Sequence, residues 1–174
     1  MAVLSGVIRV MEKAARKAGG RLRRDFGEVE HLQVSHKGPA DFVSKADRIA
    51  ERTIYDELLA ARPDWGFVME EAGVIEGDEN KPRWIVDPLD GTNNFARGKP
   101  PFGMIIALAA NGETQAGWLW DPLNERLCHA EIGKGAFIDG FLAVFFILHR
   151  GEHDERYVLE GGNFFDFFKR LDAI

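Results

Sequence analysis

Three acidic groups punctuate the middle of the chain: Asp41 with Asp47, Glu70 with Glu71, and Asp87 with Asp90. The last pair belongs to Trp84-Ile85-Val86-Asp87-Pro88-Leu89-Asp90-Gly91-Thr92. The apolar run predicts a buried strand that ends on Asp87. Pro88 forces a turn, and Asp90 returns three positions later toward the same point. Two carboxylates converging there repel each other unless a cation lies between them. Hard oxygen ligands select magnesium, manganese or calcium over softer metals. Past the turn, Gly91-Thr92 lets bare backbone N–H groups approach an anion closely. Glu70 ends a second short strand, and adjacent strands would set Glu70, Asp87 and Asp90 side by side. Three carboxylates suit a pair of ions that activates a water and stabilises a leaving oxygen. A plainer reading stands beside this one, because Asp-Pro and Asp-Gly are common turn dipeptides and strand-end acids are usually solvated. For Glu70-Glu71 alone the plainer reading is preferred; for residues 87–92 the two are balanced.

The elements that must position these residues follow from periodicity. Leu4, Val7, Ile8, Met11, Ala14, Ala15 and Ala18 recur at helical spacing, and Gly19-Gly20 should weaken or bend that helix. Arg21, Arg23 and Arg24 read as a solvated helix face in preference to an anion site, and residues 27–39 as a loop. A second helix is expected from Ser44, where Ser44-Lys45-Ala46-Asp47 has the form of a capping box. Ala46, Ile49, Ala50, Ile54, Leu58 and Ala61 give its apolar face, and Arg62-Pro63-Asp64 stops it. The period then becomes extended. Residues 65–69 and 84–86 are short apolar runs joined by a charged connection at 73–82. Residues 102–110 and 114–120 flank Asn111-Gly112 as a hairpin with one extra polar residue. Asp121-Pro122 turns the chain again, and 126–131 and 136–138 continue the meander. Two N-terminal helices packed on an antiparallel β-sheet make an α+β fold.

Composition narrows the partners. The 174 residues fit one domain, or one domain and part of another, and 45% hydrophobic residues can bury a substantial core. A formal charge of −6 argues against non-specific nucleic-acid binding, so a phosphate site would need positive charge from a metal ion. The single cysteine, Cys128, excludes an internal disulfide and reads as a small core residue rather than a nucleophile. The apolar run at 141–148 is far short of the roughly 20 residues a membrane span needs, and residues 1–18 carry no secretory signal pattern. A soluble cytoplasmic protein is expected.

Residues 84–95, Trp-Ile-Val-Asp-Pro-Leu-Asp-Gly-Thr-Asn-Asn-Phe, resemble the first signature of the inositol monophosphatase family. Asp41-Phe42-Val43-Ser44-Lys45-Ala46-Asp47 and Met69-Glu70-Glu71 upstream are similar to further family landmarks. So are Pro101-Phe102-Gly103 and Gly133-Lys134-Gly135-Ala136-Phe137 downstream. The resemblance implies magnesium-dependent hydrolysis of a small phosphate monoester, most simply inositol monophosphate, by metal-activated water. It implies that Glu70, Asp87, Asp90 and the Leu89 carbonyl bind magnesium (two or three ions, with manganese plausible). Gly91 and Thr92 would hold the phosphate through backbone N–H groups. Glu70, Leu89 and Asp90 would also face the substrate. The Thr92 hydroxyl and Asp47 would orient the attacking water, with Glu70 assisting. Residues 30–40, including Lys37, would form a flap, although a solvated loop lysine fits Lys37 equally. Asn93-Asn94-Phe95 is closer to inositol phosphatases than to the nucleotide-phosphatase branch. A homodimer acting on a small phosphorylated polyol is the implied assembly.

The resemblance runs to about Gly140. Family members are longer, and their later Trp-Asp motif, whose aspartate completes a metal site, is not found here. The expected organisation is therefore a metal- and phosphate-binding domain at 1–140 and an atypical tail at 141–174, the second α/β layer missing. A chain of this kind is expected to be weakly active by itself. His149 and His153 read as a polar helix face rather than a metal pair, since no third ligand accompanies them. Phe164, Phe165, Phe167 and Phe168 would cover part of the uncovered surface or leave an apolar patch. The alternative function is a non-catalytic regulator that binds a protein or RNA partner.

Overall fold

The apolar stripe that starts at Val7 carries on, after Ala18, through Leu22 to Val29, so helical spacing persists well past the two glycines. In a computed structural model, which describes residues 4–32 and 39–142, one helix α1 accordingly spans Gly6–Leu32 without a break. The expectation of a bend at Gly19-Gly20 and a loop from residue 27 is corrected. Gly19 is there for packing: a methyl group on it would lie 2.2 Å from Cζ3 of Trp120, so only glycine lets the helix approach the sheet. The arginines that follow line a solvated face, as expected. Arg21 pairs with Asp25 at 3.3 Å, and Arg23 reaches Glu125 at 2.8 Å.

Helix α2 spans Pro39–Ala61, starting five residues before the expected Ser44. Proline suits the first helical turn, where its missing N–H would have had no partner. Ser44 is therefore inside the helix, its hydroxyl accepting from Arg48 at 2.7 Å, and the capping box does not form. Residues 33–38 with Lys37, and everything after Leu142 including His149, His153 and the Phe-rich end, lie outside the described residues.

The strands are β1 Gly66–Met69, β2 Gly73–Ile75, β3 Arg83–Asp90, β4 Gly103–Ala110, β5 Glu113–Asp121, β6 Arg126–Glu131, β7 Gly135–Ile138 and β8 Phe141–Leu142. A short helix α3, Thr92–Ala96, follows β3. They form one sheet in the order β2-β1-β3-β4-β5-β6-β7-β8. The α+β reading holds, with one refinement: the sheet is mixed. Strand β2, which falls in the expected charged connection, folds outward beside β1, and the chain then returns on the other side of β1. Strands β1 and β3 are therefore parallel, while every other pair is antiparallel. The Asn111-Gly112 hairpin forms with both residues at positive φ (55° and 75°), the twist-matched two-residue turn. The extra polar residue, Glu113, opens β5 opposite Ala110, and a register shift between Leu108 and Ala109 leaves Gln115 without a ladder partner on β4.

Helices α1 and α2 cover one face of the sheet. Met11, Ala15, Ala18, Leu22, Ala50, Ile54 and Leu58 meet Phe67, Trp84, Val86, Met104, Ile106, Trp118 and Trp120 in one core. Each large side chain buried here contributes about 1.5–3 kcal/mol, which fixes α2 against β1 and β3. The opposite face carries a smaller apolar cluster of Ile85, Ile105 and Ala107. Among the described residues no helix is long and apolar enough to cross a membrane.

Candidate active site

Because β1 and β3 run parallel, their C-terminal ends lie side by side, under the first half of α2. Met69 pairs with Val86, and the Glu70 N–H donates to the Val86 carbonyl at 3.3 Å. Glu70 and Asp87 thus leave the sheet together, close enough for the Glu70 charge to act on the Asp87 carboxyl. Two carboxylates so placed repel each other unless a proton or a cation is shared between them. Between Asp87 and Asp90, two residues of β3 oppose one of β4, a bulge that returns Asp90 toward Asp87. Asp87 Oδ1 accepts the Leu89 N–H at 3.0 Å, which closes the turn. Burial pushes the Asp87 carboxyl well up, and the neighbouring charges of Glu70 and Asp90 push it further. Asp90 is also raised by desolvation although its residue surface is open, with the Gly91 N–H opposing the shift.

The turn is anchored from below. Leu89 is buried in the main core, and its carbonyl accepts the Thr92 hydroxyl at 2.9 Å. Gly91 sits at φ 84°, where an L side chain is strained, and a Cβ there would come within 3.0 Å of the Pro101 carbonyl oxygen. The N–H groups of Asn94 and Phe95 donate to the Gly91 carbonyl. Phe95 is fully buried against Phe26 and Phe102, with ring centroids 5.5 and 4.9 Å away. The Asn94 side-chain amide ties the turn to the Pro101 carbonyl at 2.8 Å.

Helix α2 contributes two acids one turn apart, Asp47 and Glu51, both inside its apolar face. Asp47 is 3% exposed, and its Oδ1 has no hydrogen-bond partner. Burial raises its carboxyl to about 7, helped by the charges of Glu70, Glu71 and Glu51 and opposed by Arg48. Glu51 is raised by burial as well, while N–H groups of Glu71 and Ala72 pull it back. Its Oε2 accepts the Glu71 N–H at 2.8 Å. Glu51 did not emerge from the sequence as a site residue. Its signal was there, an acid four residues after Asp47 in the middle of an apolar helical stripe.

The arrangement gathers Glu70, Asp87 and Asp90 at one strand end, with Asp47 close enough to feel Glu70. The Thr92 hydroxyl is directed at the Leu89 carbonyl rather than joined to Asp47. Asp41 falls in the first turn of α2. Among the described residues no three Asp, Glu, His or Cys side chains already close on one point as a finished ion cage. The donors nevertheless fit a hard cation. They are carboxylate and carbonyl oxygens, magnesium keeps several waters of its own, and the unpartnered Oδ1 of Asp47 beside them can accept from such a water. Cys128 is half-buried and its thiol is pushed up by burial, the opposite of an activated nucleophile.

The family model described as "Inositol monophosphatase family" matches residues 3–159. An inositol-1-monophosphatase of Mesorhizobium japonicum is 53% identical over 135 residues, 78% of this chain and 51% of that protein. The Nus factor SuhB of Vibrio cholerae is 37% identical over 130 residues, 75% of this chain and 49% of that protein. The crystal structure of extragenic suppressor protein suhB from Bartonella henselae superimposes with a TM-score of 0.72 at 52% identity, covering 81% of this chain and 55% of that one. The chain thus spans about half the length of the relatives it matches.

Proposed function

The chain belongs to the inositol monophosphatase family, and on that premise we propose that it takes part in magnesium-dependent hydrolysis of a small phosphate monoester, inositol monophosphate first among them. The observation that carries the reading is the meeting of Glu70 and Asp87 at paired strand ends, beside the buried, unpartnered Oδ1 of Asp47. Glu70, Asp87, Asp90 and the Leu89 carbonyl would hold magnesium, as two or three ions, or manganese in its place. When bound, the metal supplies positive charge against the carboxylates and the substrate phosphate and makes a water acidic enough to attack phosphorus.

The remaining work falls to the chain's own groups. The N–H groups of Gly91 and Thr92 hold phosphate oxygens where the glycine leaves room for them. Asp47, buried beside Glu70 with one carboxylate oxygen unpartnered, accepts a proton from the attacking water. The Thr92 hydroxyl turns from the Leu89 carbonyl to orient that water, and Glu70 shares in placing it. Water adds to phosphorus, the ester P–O bond breaks, and the departing polyol oxygen takes a proton from solvent water and leaves as the alcohol, with inorganic phosphate as the other product. Residues 1–140 form the metal- and phosphate-binding unit in this reading, with 141–174 as a tail. A cytoplasmic homodimer follows from the resemblance alone.

Phosphate release from inositol monophosphate tests the proposal, measured with and without magnesium on the chain as it stands. Magnesium-dependent release that disappears in Asp87→Asn supports it. A second reading, a regulator acting through a protein or RNA partner, is favoured by the relatives that carry the name Nus factor. Tight magnesium binding with no phosphate release under any condition would move the weight there.

A further inference from the structure

We infer that Glu51 is a positioning residue for the site: from α2 its carboxylate fixes the backbone at Glu71 and so aims Glu70 at Asp87. The inference rests on the proposed role of Glu70 as a metal ligand. Strand β1 ends at Met69 and β2 begins at Gly73, which leaves residues 70–72 as a turn without ladder partners. Two contacts hold that turn. On one side the Glu70 N–H reaches the Val86 carbonyl at 3.3 Å, a long bond. On the other, the Glu71 N–H donates to Glu51 Oε2 at 2.8 Å, and the Ala72 N–H faces the same carboxylate. Glu51 is 5% exposed, on the same helix face as Asp47. A buried carboxylate is a costly way to satisfy a turn, and costlier beside Glu70 and Glu71. Glu51 joins the helix carrying Asp47 to the turn carrying Glu70, as partners one layer behind a metal ligand orient it.

The test compares wild type with Glu51→Ala and Glu51→Gln, the second of which keeps a side-chain oxygen for the Glu71 N–H. Without metal, amide exchange at Glu71 should quicken about tenfold or more in Glu51→Ala, while the α2 core amides stay protected and Glu51→Gln stays near wild type. Unchanged exchange at Glu71 in Glu51→Ala overturns the inference. Magnesium affinity by calorimetry should fall by about 10–100-fold in Glu51→Ala, with most of it restored in Glu51→Gln. Equal affinity in wild type and Glu51→Ala overturns it, as does a glutamine variant as weak as the alanine one. A wild-type chain that binds no magnesium would sink the metal reading instead, and the exchange comparison would still decide whether Glu51 holds the turn.

Discussion

Two turns at the same end of the sheet begin with the same three residues and end differently. Asp87-Pro88-Leu89-Asp90 leaves β3, and Asp121-Pro122-Leu123-Asn124 leaves β5, the strand that runs parallel to it two places along. In both, the first aspartate folds back on the chain: the Leu89 N–H reaches Asp87 Oδ1 at 3.0 Å, and the Leu123 N–H reaches Asp121 Oδ1 at 2.9 Å. The fourth residue separates them. Asn124 adds donors, its backbone N–H to Oδ1 at 3.1 Å and its side-chain amide to Oδ2 at 2.6 Å, so the Asp121 carboxylate is satisfied within its own turn. Asp90 cannot donate as a carboxylate, and it brings a second negative charge toward Asp87, which already feels that of Glu70. One turn satisfies its carboxylate internally, and the other concentrates negative charge that its own donors do not offset. The same dipeptide chemistry makes a structural corner or a site according to the next polar residue.

The largest expected effect tests that contrast directly. Asp87→Asn should weaken magnesium binding at least about tenfold, the ordinary cost of losing one charged ligand contact or more. Calorimetry with unchanged affinity would remove Asp87 from the site. Substituting Asp121 in the other turn should leave magnesium affinity untouched. Next in size is the response of the fold to metal. Magnesium at about a hundred times its dissociation constant should stabilise the wild type by about 2.7 kcal/mol, or raise its melting temperature by roughly 5–10 °C. The same titration on Asp87→Asn should give a much smaller rise. A melting curve of the wild type indifferent to magnesium would leave the two turns chemically equivalent.

Exchanging the fourth residues sharpens the comparison at a smaller scale. Asp90→Asn copies the closed turn into the site, and without metal it should stabilise the protein by about 0.5–1.5 kcal/mol by removing repulsion and adding a donor. Asn124→Asp copies the open turn into the corner and should cost about as much, since it replaces the amide donor with a like charge. Urea unfolding of both variants in chelator measures the pair. Equal signs for the two exchanges would break the comparison.

What the sequence disclosed of this site was what depends on neighbours in the chain. Residues 87–92 could be read because strand, proline, acid and glycine follow one another and act locally. The hairpin at Asn111-Gly112 was legible for the same reason. The continuity of α1 through Gly19-Gly20 was not, because the glycine answers to Trp120, a residue a hundred positions away in the fold's other layer. The start of α2 was misplaced because Ser44 mimics a cap that Pro39 makes unnecessary. The parallel pairing of β1 with β3 depends on β2 folding outward, which a three-residue strand announces only faintly. The i, i+4 spacing of Glu51 from Asp47 marked it as an acid on the buried helix face, but its partner is a turn twenty residues away, which that spacing does not name.

The smallest effect expected is a pH dependence on the closed-turn side of the sheet. His129 of β6 is 4% exposed and stacked between Trp118 and Phe137, with ring centroids 5.9 and 5.0 Å away. Its Nε2 is buried without a partner, and burial lowers its pKa below the ordinary value of 6.5, with Glu12 and Glu131 opposing. The folded state therefore binds this proton less readily than the unfolded chain does. Its stabilising contribution is present above pH 6.5 and is lost as pH falls through the lowered value. Asp47 works in the other direction: raised to about 7, it favours the folded state at low pH and loses that contribution as pH rises through 7. The two ends of the comparison thus pull the pH profile oppositely, and wild type alone would blur them. His129→Phe separates them, because a phenyl ring keeps the stack and removes only the titrating group. Urea midpoints with chelator present should show the variant gaining on wild type between pH 7.5 and about pH 5.5, since Asp47 is common to both and cancels. Parallel profiles for the two proteins would mean that His129 carries its proton as easily in the fold as outside it.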